Sequence, residues 1–352
     1  MKLCVISGDG IGPEVIDAAL QVLHALSPEL KIETVMAQAG WDTFQAMGSA
    51  LPDTTRALAE EADAVLFGAV ASPSHAVPGY QSPIVALRRA LDLYANIRPT
   101  TNTGLPTASG QPPVDLVVVR ENTEGLYAGR ERLADDGHTA IAERVITRRG
   151  SERIMRRACE LAMQRGQRTG TAPRVTIVHK ANVLRVSDGL FRTVALEVAQ
   201  DYPALAIDEL LVDTAAMHLA QAPQRFDVIV TANMFGDILS DIACIHGGGL
   251  GLASSANIGE RQALFEPVHG AAPDIAGRGI ANPLAAIQCV ALLLEWAAHK
   301  SGHAEAEQAV YGQWAQRLRA AISTTLRNGP HTPDIGGAAT TAEVTTAIMK
   351  QL

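Results

Sequence analysis

The chain is short of positive charge, poor in cysteine and without any apolar run long enough to cross a bilayer. Its 29 lysines and arginines face 37 acidic residues, a net charge of −8. That balance argues against a nucleic-acid binder working through bulk charge, but leaves room for small anions held by local arginines. The four cysteines, Cys4, Cys159, Cys244 and Cys289, have no CxxC spacing, so reduced and mostly buried thiols are expected rather than disulfides or zinc. The longest apolar stretch, "LAAIQCVALLLEWAA" (284–298), contains Gln288 and Glu295 and falls short of a membrane span. It reads as a buried helix. The opening "MKLCVISGDG" has too short an apolar run for a signal peptide, so a cytoplasmic protein with no membrane association is expected. Low-complexity linkers and internal repeats are also missing.

What is present is a core. Of 352 residues, 47% are hydrophobic and 19% charged, enough for two domains or one large α/β unit. Short apolar runs alternate with longer helical patterns. "LCVIS", "ADAVLFGAV" (62–70), "VDLVVVRE" (114–121), "PRVTIVHK" (173–180) and "FDVIV" (226–230) read as buried strands. "GPEVIDAALQVLHAL" and "SERIMRRACELAMQRG" read as helices, the second with Ser151 as N-cap and Gly166 as C-cap. This alternation predicts an α/β fold with largely parallel pairing. "TTNTGLPTASGQPP" (100–113) is the loosest stretch and "HGGGLGLASSANIG" (246–259) a second Gly-rich one. Read as two crossings, they predict a large discontinuous domain, 1–99 plus 254–352, and a smaller one, 100–253.

Several strands end in polar residues: Arg120 and Glu121, then His179, Lys180 and Asn182, then Asn233 and Asp237. Ligands of open α/β sheets collect at such ends. "GDGIG" (8–12) is not a dinucleotide fingerprint, because Pro13 stands where the third glycine belongs, and it reads as a tight strand-to-helix turn. Arg88, Arg98 and Arg120 either solvate a surface or converge on a substrate with two or three carboxylates. "FGDILSD" sets Asp237 and Asp241 four residues apart, on one face if the segment is helical. Asp237 then either caps its helix, with Asp241 in the first turn, or the two bind a hard divalent ion. In a helix, Ile238, Leu239 and Ile242 would pack inward. Tyr127, Lys180 and Asp213 complete the polar set.

Together these blocks resemble a family. "GDGIGPEV", "LDLYANIRP", "RENTEGLY", "HKANV", "FGDILSD", "FEPVHGAAPDIAG" and "ANPLAA" are similar to the metal-dependent β-decarboxylating dehydrogenases, the isocitrate/isopropylmalate dehydrogenase family. The resemblance implies that family's fold, two α/β domains with parallel and mixed pairing and not a Rossmann fold. It implies Mg²⁺ or Mn²⁺ on Asp237 and Asp241, with Asp213 from a second subunit. It implies Arg88, Arg98 and Arg120 on the carboxylates of a hydroxy acid. Tyr127 and Lys180 match the proton-transfer pair, the lysine again crossing from the second subunit, so a homodimer at least is implied, with a tetramer left open. Ser72, Asn182, Glu266, His269, Gly270, Asp274, Ile275 and Asn282 match cofactor positions. Asp274 and Ile275 replace the lysine and tyrosine of relatives that use NADP⁺, so NAD⁺ is expected.

The substrate is read from "SPIVALRR" (82–89). Ser82 and Pro83 suit a helix start, leaving Ile84 and Val85 beside Arg88. Ile84 replaces an asparagine typical of isocitrate enzymes. The segment, with "AGWDTF", "SDGLFR" and "GPHTPDIGG", resembles homoisocitrate dehydrogenases. The order expected is homoisocitrate (giving 2-oxoadipate and CO₂), then isocitrate, then 3-isopropylmalate or another alkylmalate. A non-catalytic regulatory subunit, the rival from another class, is disfavoured because every catalytic position is filled.

Overall fold

The computed structural model describes residues 1–26, 30–75, 77–102, 104, 113–300 and 302–352. The chain divides into two compact units. The first comprises Met1–Leu91, Asn102–Gln111 and Gly247–Leu352, and the second Asp92–Thr101 and Pro112–His246.

The first unit opens with β1 (Lys2–Gly8), α1 (Gly12–Leu26), β2 (Glu33–Ala37), α2 (Trp41–Met47), α3 (Asp53–Glu61), β3 (Ala64–Ala69) and α4 (Pro83–Ala90). The second holds β4 (Ala95–Thr101), β5 (Asp115–Glu121), the hairpin β6 (Glu131–Leu133) and β7 (Ala140–Ala142), α5 (Arg148–Thr169), β8 (Arg174–His179), α6 (Ser187–Ala199), β9 (Ala206–Leu211), α7 (Val212–Gln221), β10 (Val228–Thr231) and α8 (Asn233–Cys244). The chain then completes the first unit with β11 (Ser254–Ile258), β12 (Ala263–Pro267), α9 (Leu284–Ala297), α10 (Glu305–Asn328) and α11 (Thr341–Met349).

Strands of the first unit run in the order β2-β1-β3-β12-β11, parallel except for the β11–β12 pair. Those of the second run β4-β5-β10-β8-β9, parallel except for β4–β5. The expected α/β architecture with mixed pairing is what the chain adopts. The apolar run at 284–298 is the buried helix α9, with Leu284 to Ile287 and Cys289 to Leu294 all buried. An all-round apolar helix of this kind has to be covered on every side.

The expected boundary at 99/100 falls inside β4, all of which goes with the second unit, and the return lies between His246 and Gly247. Of the loose stretch 100–113, residues 103 and 105–112 lie outside the described residues.

The glycine turn after β1 has a steric cause. A Cβ on Gly8 would stand 2.0 Å from the Ala69 carbonyl oxygen, one on Gly10 2.1 Å from that of Ala271, and one on Gly12 2.1 Å from that of Ser7. The turn is therefore packed backbone against backbone. Between these glycines sits Asp9, 3% exposed. Its carboxylate accepts the amides of Trp41 at 2.7 Å, Asp42 at 3.1 Å and Ala71 at 2.9 Å. One buried charge thus ties three segments together, each bond charge-assisted.

The caps of α5 differ from the expectation. Thr147, not Ser151, is the N-cap, its hydroxyl accepting the Gly150 amide at 2.9 Å. Ser151 lies inside the first turn and donates back to the Thr147 carbonyl. The C-cap is Gly170 in the left-handed conformation. Gly166 is inside the helix, where an added Cβ would crowd Pro173 at 3.0 Å.

Candidate active site

α8 begins at Asn233, with Ala232 in the N-cap position, so Asp237 lies past the first turn and is not a cap. Asp237 and Asp241 project from this helix with side chains 34% and 62% exposed. Leu239 is fully buried beneath them and Ile242 packs partly against the same core. Ile238, expected to point inward, is half exposed instead. It shares a helical face with Ile245, seven residues on and also exposed.

Two guanidiniums face the aspartates. Arg120, near the end of β5, is 2% exposed. Its Nε and one terminal nitrogen donate to the Asn233 Oδ1 at 2.9 and 2.8 Å, and the other is ion-paired with Asp237. Gly236 makes the room, since a Cβ there would stand 2.6 Å from the Arg120 Cβ. Arg98, on β4, lies 3.3 Å from Asp237 and 3.4 Å from Asp241, anchored by the Ser240 hydroxyl at 2.8 Å and the Asn96 amide oxygen at 2.9 Å. Burial holds the Asp241 carboxyl above its ordinary value, and the charge of Asp237 adds to this against the pull of Arg98. Tyr127 donates to Asp237 at 2.7 Å, and the Arg120 guanidinium carbon stands 5.1 Å from its ring centre. Burial, and then that hydrogen bond, push the phenol pKa up, so the group is a neutral donor. The next residue of β5, Glu121, faces away as strand alternation requires, and its carboxylate accepts the amides of Thr123 and Glu124.

Lys180 and Asp213 form a second polar pair, at the end of β8 and the start of α7. Their side chains are ion-paired to each other, and Lys180 holds the Asp213 carboxyl below its usual range. Among the described residues of one chain, no three His, Cys, Asp or Glu side chains come together, so Asp213 does not join Asp237 and Asp241 within a protomer. Asn182, just beyond Lys180, is exposed.

The first unit carries the other expected positions. Ser82 occupies the N-cap position of α4 without a side-chain capping bond, followed by Pro83. Ile84 and Val85 are half-buried. Arg88 donates to Glu266 at 2.7 Å, and Asn257 donates to the same carboxylate oxygen at 2.9 Å. The buried Arg88 Nε has no hydrogen-bond partner among the described residues. His269 shares its Nδ1 hydrogen with the Gly270 carbonyl at 3.1 Å, leaving a buried Nε2 without a partner there. Burial keeps this imidazole neutral, so Nε2 is an open acceptor. Asn282 donates to Asp334 at 3.0 Å and accepts the Leu284 amide at 3.0 Å, so its amide also starts α9. Ser72, Gly270 and Asp274 are exposed, and Ile275 is half-buried.

Ser240, Asn257 and Asp334 carry no signal in the sequence, and Asn233 reads there only as a strand ending. Each is a neutral or acidic group that orients a candidate residue, and only contacts between distant positions reveal it.

The arrangement offers two hard oxygen donors beside two fixed guanidiniums, a setting for a hydroxy acid bearing carboxylates. Comparison with known proteins agrees. The family model described as isocitrate/isopropylmalate dehydrogenase matches residues 2–350. The isocitrate/homoisocitrate dehydrogenase of Thermus thermophilus is 48% identical over 351 residues, covering 100% of this chain and 98% of that one. The homoisocitrate dehydrogenase of Methanocaldococcus jannaschii is 47% identical, again over 100% of this chain and 98% of the relative. The crystal structure of isocitrate dehydrogenase from Methylococcus capsulatus superposes with a TM-score of 0.88 at 40% identity, covering 99% of this chain and 98% of that one. The chain therefore belongs to the isocitrate/isopropylmalate dehydrogenase family, NAD- and divalent-metal-dependent decarboxylating dehydrogenases that act on CH–OH groups.

Proposed function

We propose that the chain converts homoisocitrate to 2-oxoadipate and CO₂ with NAD⁺, with isocitrate as the second candidate. The observation that carries the reading is the paired Asp237 and Asp241 with Arg98 within 3.4 Å of both. Carboxylate oxygens one turn apart suit Mg²⁺ or Mn²⁺, with Asp213 of a second copy as third ligand. Bound there, such an ion would supply Lewis acidity at the hydroxyl oxygen, and a nicotinamide would supply a hydride acceptor.

The protein side chains do the rest. Arg88, Arg98 and Arg120 hold the substrate carboxylates, and the unpartnered Arg88 Nε is a donor available for one of them. Lys180, from the second copy, first gives up its own ammonium proton to solvent and then, as the neutral amine, accepts the hydroxyl proton at Nζ while the C2 hydrogen leaves as hydride. The bond from C3 to its carboxylate then breaks, CO₂ departs, and the electron pair stays on C3. The neutral Tyr127 hydroxyl delivers a proton to that carbon. Ile84 and Val85 border the substituent that distinguishes one acid from another. The test compares kcat/KM for homoisocitrate, isocitrate and 3-isopropylmalate with Mg²⁺ and NAD⁺. Homoisocitrate is expected to lead by about tenfold or more, the worth of one methylene. A lead for isocitrate would overturn the substrate assignment, and no turnover of any of the three would favour a regulatory role.

On the cofactor side, Nε2 of His269 can accept from the adenine amino group, with Ser72, Asn182, Glu266, Gly270 and Asn282 as further contacts. Asp274 accepts from ribose hydroxyls and repels a 2′-phosphate. Asp274→Lys with Ile275→Tyr is expected to raise kcat/KM for NADP⁺ relative to NAD⁺ by about a hundredfold, roughly 2.7 kcal/mol of reversed charge interaction. An unmoved ratio would remove Asp274 from cofactor choice.

A homodimer is supported by the exposure of Met217 on α7 and of Ile238 and Ile245 at α8, 48%, 50% and 71%. Large apolar side chains left in water are the kind of surface that a second copy covers. Ile238→Asp should give a monomer in light scattering and abolish turnover. A fully active monomer would contradict the shared site.

A further inference from the structure

Lys180 stands where β8 gives way to the turn before α6, a place where a side chain can wander. The main chain there is gripped from several sides. The Lys180 amide donates to Asp188 Oδ2 at 2.6 Å, and the next amide, of Ala181, donates to His179 Nδ1 at 3.1 Å. The Lys180 carbonyl accepts the amides of Val183 at 3.0 Å and Leu184 at 2.9 Å. Asp188 and His179 are 1% and 5% exposed. The second oxygen of Asp188 is ion-paired with Arg144, whose side chain is 13% exposed. The Arg144 guanidinium carbon lies 4.9 Å from the ring centre of Phe235. Phe235 belongs to α8, the helix that carries Asp237 and Asp241.

A buried carboxylate that spends one oxygen on a single backbone amide is costly unless its charge is matched, and Arg144 supplies the match. We propose that Asp188 is a positioning residue for Lys180: it fixes the peptide from which the lysine projects, with Arg144 as the counter-ion that offsets its buried charge. The proposal rests on the reading of Lys180 as the proton acceptor. Placement of such a group within about 1 Å is worth up to a hundredfold in rate. A clamp acting through Lys180 affects the reacting step, not the affinity for substrate, so its mark is a fall in kcat at constant KM.

Removing Asp188 alone would strand the Arg144 charge and endanger folding. The test therefore uses two charge-neutral double variants. Arg144→Met with Asp188→Asn keeps a carbonyl oxygen for the Lys180 amide, whereas Arg144→Met with Asp188→Leu keeps none. The parent chain's best acid, NAD⁺ and Mg²⁺ serve as the assay. The Asn variant is expected to hold kcat within about threefold of the parent, and the Leu variant to lose about thirtyfold or more, with KM for acid and cofactor unchanged in both. Equal kcat in the two variants, or a loss confined to KM, would overturn the proposal. Lys180→Met, run alongside, separates the two levels. If it is inactive while the Leu variant turns over normally, the clamp is wrong. If it is itself active, the failure lies in the role given to Lys180.

Discussion

Replacing Arg120 by methionine is expected to lower kcat/KM by about a thousandfold, close to 4 kcal/mol. The size follows from three roles meeting in one guanidinium. Arg120 is buried, forks onto Asn233, pairs with Asp237 and lies against the Tyr127 ring. Methionine fills much of the same volume but donates nothing. The Asn233 oxygen, buried with its residue, loses both donors, a cost of about 1–3 kcal/mol in stability. Asp237 keeps Arg98 at 3.3 Å and the Tyr127 hydroxyl at 2.7 Å and is a third exposed, so its lost partner adds less. Arg120→Lys is the informative companion. An ammonium keeps the charge but not the planar fork, so it cannot serve Asn233 and Asp237 at once and should recover little activity. Kinetics with all three acids and urea unfolding check both halves. Activity within tenfold of the parent in the methionine variant would take Arg120 out of the substrate site.

Asp241→Asn should separate function from stability in the opposite way. Turnover is expected to fall by about a thousandfold, since an amide is a poor ligand for a hard dication and the Lewis acidity it loses is worth several kcal/mol. Calorimetric titration with Mn²⁺ should show weakened binding by the variant. The fold should hold within about 0.5 kcal/mol. Asp241 is 62% exposed, and its carboxyl is already held up by burial and by the neighbouring charge of Asp237. Neutralising it gives up an exposed pairing with Arg98, worth little in water, and relieves the repulsion from Asp237. Near-normal rates in the variant would sink the assignment of this helix as the metal site.

These expectations lean on features of unequal visibility in the sequence. Helices α1 and α9 and strand β5 were legible because long periodic or apolar runs report burial directly, whatever lies across from them. Arg120 stood out because a charge straight after "LVVV" has no cheap place to go. The start of α8 was less legible: Asn233 looked like a strand ending, and it is in fact the first helical residue, turned toward Arg120. Ile238 was misplaced because periodicity marks an apolar face of a helix without saying whether the rest of the same chain covers it. The buried polar hubs were invisible. Asp9 serves amides 32, 33 and 62 residues away, and Asp188 serves Arg144 44 residues back. Nothing local marks such a residue, since its partner is chosen by the fold. The caps of α5 were missed for a smaller reason: Thr147 and Ser151 are both competent, and only the backbone decides which hydroxyl finds a free amide.

The split first unit has a consequence for the chain as it is made. Strand β3 needs β12 beside it, yet residues 263–267 leave the ribosome long after residues 64–69. The second unit, by contrast, is complete once His246 has emerged. Domains ordinarily fold in the order of synthesis, and here the unit that starts second is the first to have all its residues. At 5–20 residues per second, the N-terminal segment Met1–Leu91 waits roughly 10–40 s for its missing strands. During that interval β3, with its apolar Val65, Leu66 and Phe67, carries an open edge, and the chain at this stage is the form that a nascent-chain chaperone would meet.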